Sequence, residues 1–301
     1  QGRFLHAWGS EGAGPGRFVH PLGVAVAGDG SVYVADTANH RIQRFEPHGA
    51  FSAQWSEAGP FGSLDTPWGL DVDVDGVVVV ADRNNHRLVR FDSTGRAEAV
   101  IGSPGRGAGQ LAAPAGVAIA SDGTLYAVDR GNHRIQRLGP DGQFLGVWGA
   151  PGSGAGQFVT PAGLAAAPDG TVYVADGGND RIQHLAPDGR FLGQWGSYGH
   201  GPGEFLDPTG VAVAPDGSVY VTDGGNERVQ RFSPTGAFLA AWGKPGRGDG
   251  QFNRPSGLTV SADGTVFVAD SRNHRVQWFT AGGEFLGKLG TPGSDPGLLD
   301  R

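Results

Sequence analysis

Few residues in this chain have the type and spacing that chemistry requires. Asp71 and Asp73 stand two apart in the run Leu70-Asp71-Val72-Asp73. On a strand, residues i and i+2 share a face, so both carboxylates are expected to point the same way, as a channel cation pair. Paired carboxylates suit a hard cation such as Ca²⁺, which takes roughly six to eight oxygen ligands. One strand supplies too few, so a hydrated polar wall is the simpler reading: no cofactor is expected, with Ca²⁺ the alternative. Four histidines, His40, His86, His133 and His274, each lie between an asparagine and an arginine. A zinc site needs several imidazole nitrogens on one ion. These four lie far apart along the chain and read as loop-packing residues. Glycine-rich runs such as Gly107-Ala108-Gly109-Gln110 look at first like a phosphate loop, but no Lys-Ser/Thr follows and no helical pattern begins there.

Six Asp–Arg pairs have a different character: Asp36 with Arg41, Asp82 with Arg87, Asp129 with Arg134, Asp176 with Arg181, Asp223 with Arg228 and Asp270 with Arg275. A carboxylate can accept loop N–H groups and an arginine fork together. Catalysis has no use for six copies of one group, so these pairs are expected to be scaffold, and no catalytic residue is assigned.

The elements that position these groups repeat. The motif aspartates are spaced by 46, 47, 47, 47 and 47 residues. Around each lie four apolar runs, exemplified by Gly23-Val24-Ala25-Val26, Val32 to Asp36, Arg41 to Phe45, and the Phe-Leu-x-x-Trp-Gly segment at Phe144 to Gly149. Their length and β-branched or aromatic content predict strands. Asp-Gly pairs, such as Asp122-Gly123 and Asp141-Gly142, separate the first from the second and the third from the fourth. Glycine accepts positive φ without steric cost, so these pairs predict hairpins. Each repeat is therefore a four-stranded antiparallel meander, and six such sheets hide their faces by stacking around an axis. The expected fold is all-β: a single six-bladed β-propeller over residues 1–301.

The fourth run occurs once too often, with copies at residues 3–9 and 284–290. One of them must complete the last blade. The N-terminal copy is favoured, because joining the two ends resists unravelling, and the other is left for a sheet edge. The glycine-rich segment joining the repeats carries an apolar residue three before a proline, Phe18, Leu64, Leu111, Phe158, Phe205 or Phe252, expected as a plug between adjacent blades. Pro292 to Arg301 imitates a further such linker, with Leu298 in that slot.

Composition narrows the partners. The 301 residues carry a formal charge of -7 and include 55 glycines and no cysteine. The acidic balance speaks against nucleic acid. Disulfides and thiolate metal sites are excluded. No apolar run approaches the roughly 18 residues of a membrane span. With Gln1 first and no methionine, the chain reads as a processed or excised piece, and it is expected to act as a monomer.

At Asp36-x-x-Asn39-His40-Arg41-Ile42 and its copies through Asn273-His274-Arg275-Val276, the chain resembles the NHL-repeat family over essentially its whole length. The resemblance implies a six-bladed propeller. It also implies one of several roles: an RNA- or protein-binding domain of ubiquitin-ligase-type proteins, a sensor domain of bacterial receptor kinases, or a zinc-dependent peptide-amidating lyase. The lyase carries zinc-binding histidines just after the channel-mouth prolines. Here those positions are Leu22, Trp68, Ala115, Ala162, Thr209 and Ser256, none of them histidine.

On a propeller these positions share a face with the residues following each motif aspartate: Thr37, Arg83, Arg130, Gly177, Gly224 and Ser271. The candidate ligand face is therefore Leu22, Trp68, Arg83, Arg130, Thr209 and Ser256. Arg83 and Arg130 predict a positive sector, flanked by His86 and His133. Gly177-Gly178 with Asp180, and Gly224-Gly225 with Glu227, predict an open acidic one. Trp68 is the expected surface anchor, while Trp8, Trp55, Trp148, Trp195 and Trp242 are expected to pack blades. The leading expectation is a non-catalytic binding, scaffold or sensor propeller for a peptide, protein or glycan. The alternatives are a metal-assisted lyase or lactonase-like hydrolase at the channel mouth, and a recently amplified or assembled propeller with no evolved ligand.

Overall fold

The structure is a computed structural model that describes residues 7–8, 11–47 and 49–289. Each repeat forms the expected meander. In blade 1 the strands are Pro21–Val26, Val32–Asp36, Arg41–Phe45 and Phe51–Trp55, each antiparallel to the next. Blades 2 to 5 begin at Pro67, Val117, Leu164 and Pro208, and blade 6 spans Pro255–Val260 to Phe285–Leu289. The Asp-Gly turns form as read. Gly123 N–H donates to the Ala120 carbonyl at φ +81°, and the Asp122 carboxylate caps the turn by accepting from Thr124 N–H.

The second strand of nearly every blade is buried on both faces, which no isolated sheet can arrange. Each interface between neighbouring blades instead holds its own apolar cluster. Between blades 1 and 2, Tyr33, Ala35 and Ile42 meet Leu70, Val80 and Phe91. Between blades 6 and 1, Ala269 and Val276 meet Phe18, Val24 and Val34, so the ring is closed. The apolar residue of each linker, Phe18, Leu64, Leu111, Phe158, Phe205 or Phe252, is fully buried in such an interface. The fourth-strand tryptophans pack between blades. The Trp148 ring lies 5.1 Å from Tyr126, and a Cβ on Gly189 of the following blade would come within 2.2 Å of the same indole. That turn glycine is thus required twice, by its φ of +88° and by the ring it covers.

Ring closure departs from expectation. The C-terminal copy, Phe285–Leu289, is the fourth strand of blade 6, and Ala7–Trp8 adds outside it as a fifth, parallel strand. The local hairpin prevails because its short Gly282-Gly283 turn closes at little entropic cost, whereas an N-terminal strand must be captured across the whole ring. Side chains of the N-terminal copy, and Leu298 with its segment, lie outside the described residues.

Neighbouring blades approach closely at the glycine two residues after each mouth proline or its equivalent. A Cβ on Gly23 would sit 2.4 Å from the Trp68 carbonyl oxygen, and one on Gly257 would sit 2.4 Å from that of Leu22. All six blades repeat this contact of backbone on backbone, so Pro-x-Gly is a close-approach requirement as much as a turn.

Candidate ligand-binding face

The motif corner is framework. Asp36 is wholly buried, and its Oδ2 accepts from Arg41 Nε at 2.7 Å, Asn39 Nδ2 at 2.9 Å and Gln43 Nε2 at 2.9 Å. Its Oδ1 accepts from Val19 N–H at 2.8 Å. The Arg41 fork continues to the carbonyls of Ala13, Gly14 and Arg17, so one ion pair fixes the whole linker. The other five pairs repeat the Nε–Oδ2 bond at 2.6 to 2.8 Å. The sequence reading passed over the glutamine two residues beyond the motif arginine in five of the six repeats. Gln43 both donates to the linker and accepts from Gly16 N–H. Blade 2 has buried Val89 at this position, and its linker carries a short helical turn at Gly59–Phe61 instead. That single exception was the available signal.

The motif histidines are also framework, in a role the sequence did not reveal. Each has φ near +54° and offers Nδ1 to a backbone N–H in the next blade: His40 to Thr66, His86 to Ala113, His133 to Thr160 and His274 to His20, at 2.9 to 3.1 Å. Asp180 and Glu227 make the same stitch with carboxylates, to Asp207 N–H and Arg254 N–H. Burial holds His274 below the ordinary histidine value, against the pull of Glu11, in keeping with its neutral, accepting Nδ1.

This stitching corrects the expected acidic sector. The Asp180 and Glu227 carboxylates are spent between blades, and Asp207 pairs with Arg254 at 3.1 Å. The glycines there are only partly open: Gly177 and Gly224 are buried, whereas Gly178 is exposed, although a Cβ on it would meet the Val159 side chain at 2.5 Å.

Other mouth positions are absorbed in the same way. Thr37 Oγ1 donates to the Pro67 carbonyl at 2.7 Å, and Ser271 Oγ to that of Pro21 at 2.6 Å. Ser256 Oγ donates to the Leu22 carbonyl and Thr209 Oγ1 to that of Pro255, so these two candidates hold neighbouring blades together. Leu22, Trp68 and Thr209 line the channel mouth with a degree of exposure.

Trp68, Arg83 and Arg130 are brought together across two blades. The Arg83 guanidinium lies 4.6 Å from the Trp68 ring centroid and that of Arg130 5.4 Å. Arg130 is anchored by donating to the carbonyls of Thr160 and Pro161 at 2.8 and 3.1 Å. Arg83 donates no hydrogen bond to any described residue, and its Nε is buried without a partner.

The two channel aspartates separate. Asp73 Oδ1 accepts from Asp75 N–H and Val77 N–H, capping its own hairpin as Asp122 does in blade 3. The expected shared face thus gives way to local turn geometry, and among the described residues no group of three or more histidine, aspartate or glutamate side chains gathers around a point. Asp71 instead reaches across, its Oδ2 accepting from Ile119 N–H of blade 3 at 2.8 Å. Burial pushes its carboxyl up to about 6 from 3.8, against the pull of the Ile119 and Val72 N–H groups.

A raised folded pKa means that the native state binds more protons, so this contribution is fully present below about 3.8 and lost as pH rises through about 6. Asp71→Asn should therefore raise stability at pH 7 by about 1 kcal/mol and flatten the pH dependence across that window. The effect is smaller than the displacement alone implies because Asp71 keeps part of its surface in solvent. Denaturant midpoints at several pH values measure it, and a variant no more stable than the parent at neutral pH would contradict it.

The family model described as "NHL repeat" matches residues 18–45, 64–91, 111–138, 158–185, 205–232 and 252–279. The B-box type zinc finger protein ncl-1 of Caenorhabditis elegans is 51% identical over 47 residues, 16% of this chain and 6% of that protein. Protein brain tumor of Drosophila melanogaster is 46% identical over 52 residues, 17% of this chain and 5% of its own. The chain thus spans only a small part of these curated relatives. Among solved structures, a streptogramin B lyase superposes with a TM-score of 0.65 at 14% identity, over 92% of this chain and 85% of that one. A Bacteroides thetaiotaomicron protein of unknown function gives 0.67 at 18%, over 91% and 74%. At such identities the likeness is one of fold. Each matched repeat runs from the buried linker residue through the Asp–Arg corner, the segment whose hydrogen bonds hold every blade, and the chain belongs to the NHL-repeat family as a six-bladed propeller.

Proposed function

We propose that this propeller is a non-catalytic recognition module that binds an extended segment of another protein across the mouth of its central channel. The observation that carries this reading is the cluster of Trp68 with Arg83 and Arg130. Most other side chains at equivalent positions on this face are spent on bonds between blades. Tryptophan and arginine are the residues most enriched at binding hot spots. The channel-mouth cavity that Trp68 lines, about 70 Å³, is far below the roughly 300–1,000 Å³ that encloses a small-molecule ligand. A ligand would therefore lie over the mouth and lower a single group into it, as a peptide can.

A peptide array followed by fluorescence anisotropy tests the reading. Trp68→Ala should weaken binding by at least about thirtyfold, the loss of a hot spot of roughly 2 kcal/mol, in a variant that still folds. A modest fall in thermal midpoint is expected, because the ring also packs on the apolar cluster between blades 3 and 4. Undiminished affinity in a folded variant would remove this face from consideration.

A further inference from the structure

We infer that the channel mouth is a carboxylate receptor, in which the guanidinium of Arg83, stacked on Trp68 and backed by Arg130, receives a carboxylate carried by the bound peptide. The inference rests on the recognition reading above and names the group that is recognised. Arg83 is an exception within the sixfold pattern. At the equivalent position Thr37, Arg130 and Ser271 each donate to the next blade's proline carbonyl, while Gly177 and Gly224 have no side chain to offer. Arg83 alone has donors and spends none of them on a described residue. A guanidinium presents five N–H donors in a rigid fork that matches a planar carboxylate. A buried unpaired Nε recurs at Arg44, Arg137 and Arg231, so what distinguishes Arg83 is that its terminal nitrogens also donate to no described residue and are left for an incoming acceptor.

The surroundings favour a single negative charge. Burial pushes Arg130 below the ordinary arginine value; Asp207 pulls it back up, and the nearby Arg83 charge pushes it down by less. A bound anion adds to the attraction that Asp207 supplies and offsets what remains of the repulsion between the two guanidinium groups. The Trp68 ring fixes the guanidinium plane through its face and leaves the edges to donate. Only one of the two arginine forks is free of carbonyl partners, which matches one planar monoanion better than a tetrahedral dianion that would engage both. The Trp68 ring also lines the channel-mouth cavity of about 70 Å³, which is large enough for a carboxylate.

Short Ala-Gly peptides of a common sequence test the assignment by fluorescence anisotropy. One has a central Glu with both ends capped, a second has Gln there, a third is the Gln peptide with a free C-terminal carboxylate, and a fourth has a central phosphoserine. The capped Glu peptide or the free-carboxylate peptide should bind about ten- to a hundredfold more tightly than the capped Gln peptide, as expected for a charge-assisted pair. Whichever does so identifies the source as side chain or chain terminus. Arg83→Gln should abolish that advantage and leave the capped Gln peptide unaffected, while Trp68→Ala weakens every peptide. Equal binding of charged and uncharged peptides, or an advantage that survives Arg83→Gln, overturns the carboxylate assignment and leaves the recognition face standing. Tightest binding by the phosphoserine peptide overturns it in favour of phosphate. If Trp68→Ala weakens none of them, or nothing binds at about 1 mM, the recognition reading falls as well.

Discussion

Asp270→Ala should lower stability by about 3–5 kcal/mol, the penalty for leaving a buried ionic partner uncompensated. The reason lies in how many donors one carboxylate serves. Asp270 is fully buried and accepts from Arg275 Nε, Asn273 Nδ2, Gln277 Nε2 and Asn253 N–H. Removing it strands four donors, one of them the charged guanidinium of Arg275, which is 1% exposed. The damage also spreads beyond the corner, because Arg275 holds the blade linker through the carbonyls of Arg247, Gly248 and Gln251. A fall of roughly 5–15 °C in the thermal midpoint is expected for a domain of this size. Urea unfolding gives the free energy directly. A loss below about 1 kcal/mol would mean that the corner is incidental and that its sixfold recurrence needs another cause.

The second large effect is expected at the linker plug. Phe205→Ala should cost about 3–5 kcal/mol, through lost transfer energy and the cavity left behind. Phe205 is completely buried between Tyr173, Ile182 and Val221, and its ring centroid lies 5.6 Å from that of Phe232. The backbone is already pressed against it, since a Cβ on Gly196 would come within 2.4 Å of the ring. A site so rigidly walled collapses little, which places the cost toward the upper end. Phe205→Leu should cost under about 1.5 kcal/mol, because Leu64 and Leu111 fill the same slot in other blades. Equilibrium urea denaturation of the pair separates cavity from chemistry. Equal losses in the two variants would contradict the packing account.

Some of this was legible before any coordinates, and the particular residues show why. The Asp-Gly turns, the buried linker residue and the Asp36–Arg41 pairing are local and recur in every repeat, so period and residue type sufficed. The Asp73 carboxylate was misjudged for an equally local reason. Strand alternation predicted its face, but it lies at the hairpin, where the Asp75 and Val77 N–H groups capture it. The blade-to-blade stitch of His86 to Ala113 N–H gave no such sign, because the receiving positions are His, Thr, Ala, Thr, Asp and Arg in turn and only their backbone takes part.

By itself, the sequence determined the architecture of this protein: four strands per repeat, two tight turns, a charged corner and a buried plug, six times over. Those features follow from interactions within about one repeat, and residue type reports such interactions directly. Tertiary structure alone decided which copy of the outer strand completes blade 6, which apparently free side chains are spent between blades, and that Arg83 and Arg130 from different blades converge on Trp68. These outcomes depend on competition among groups brought together only by ring closure, where a short hairpin defeats a distant strand and a neighbouring carbonyl claims a hydroxyl that would otherwise face a ligand.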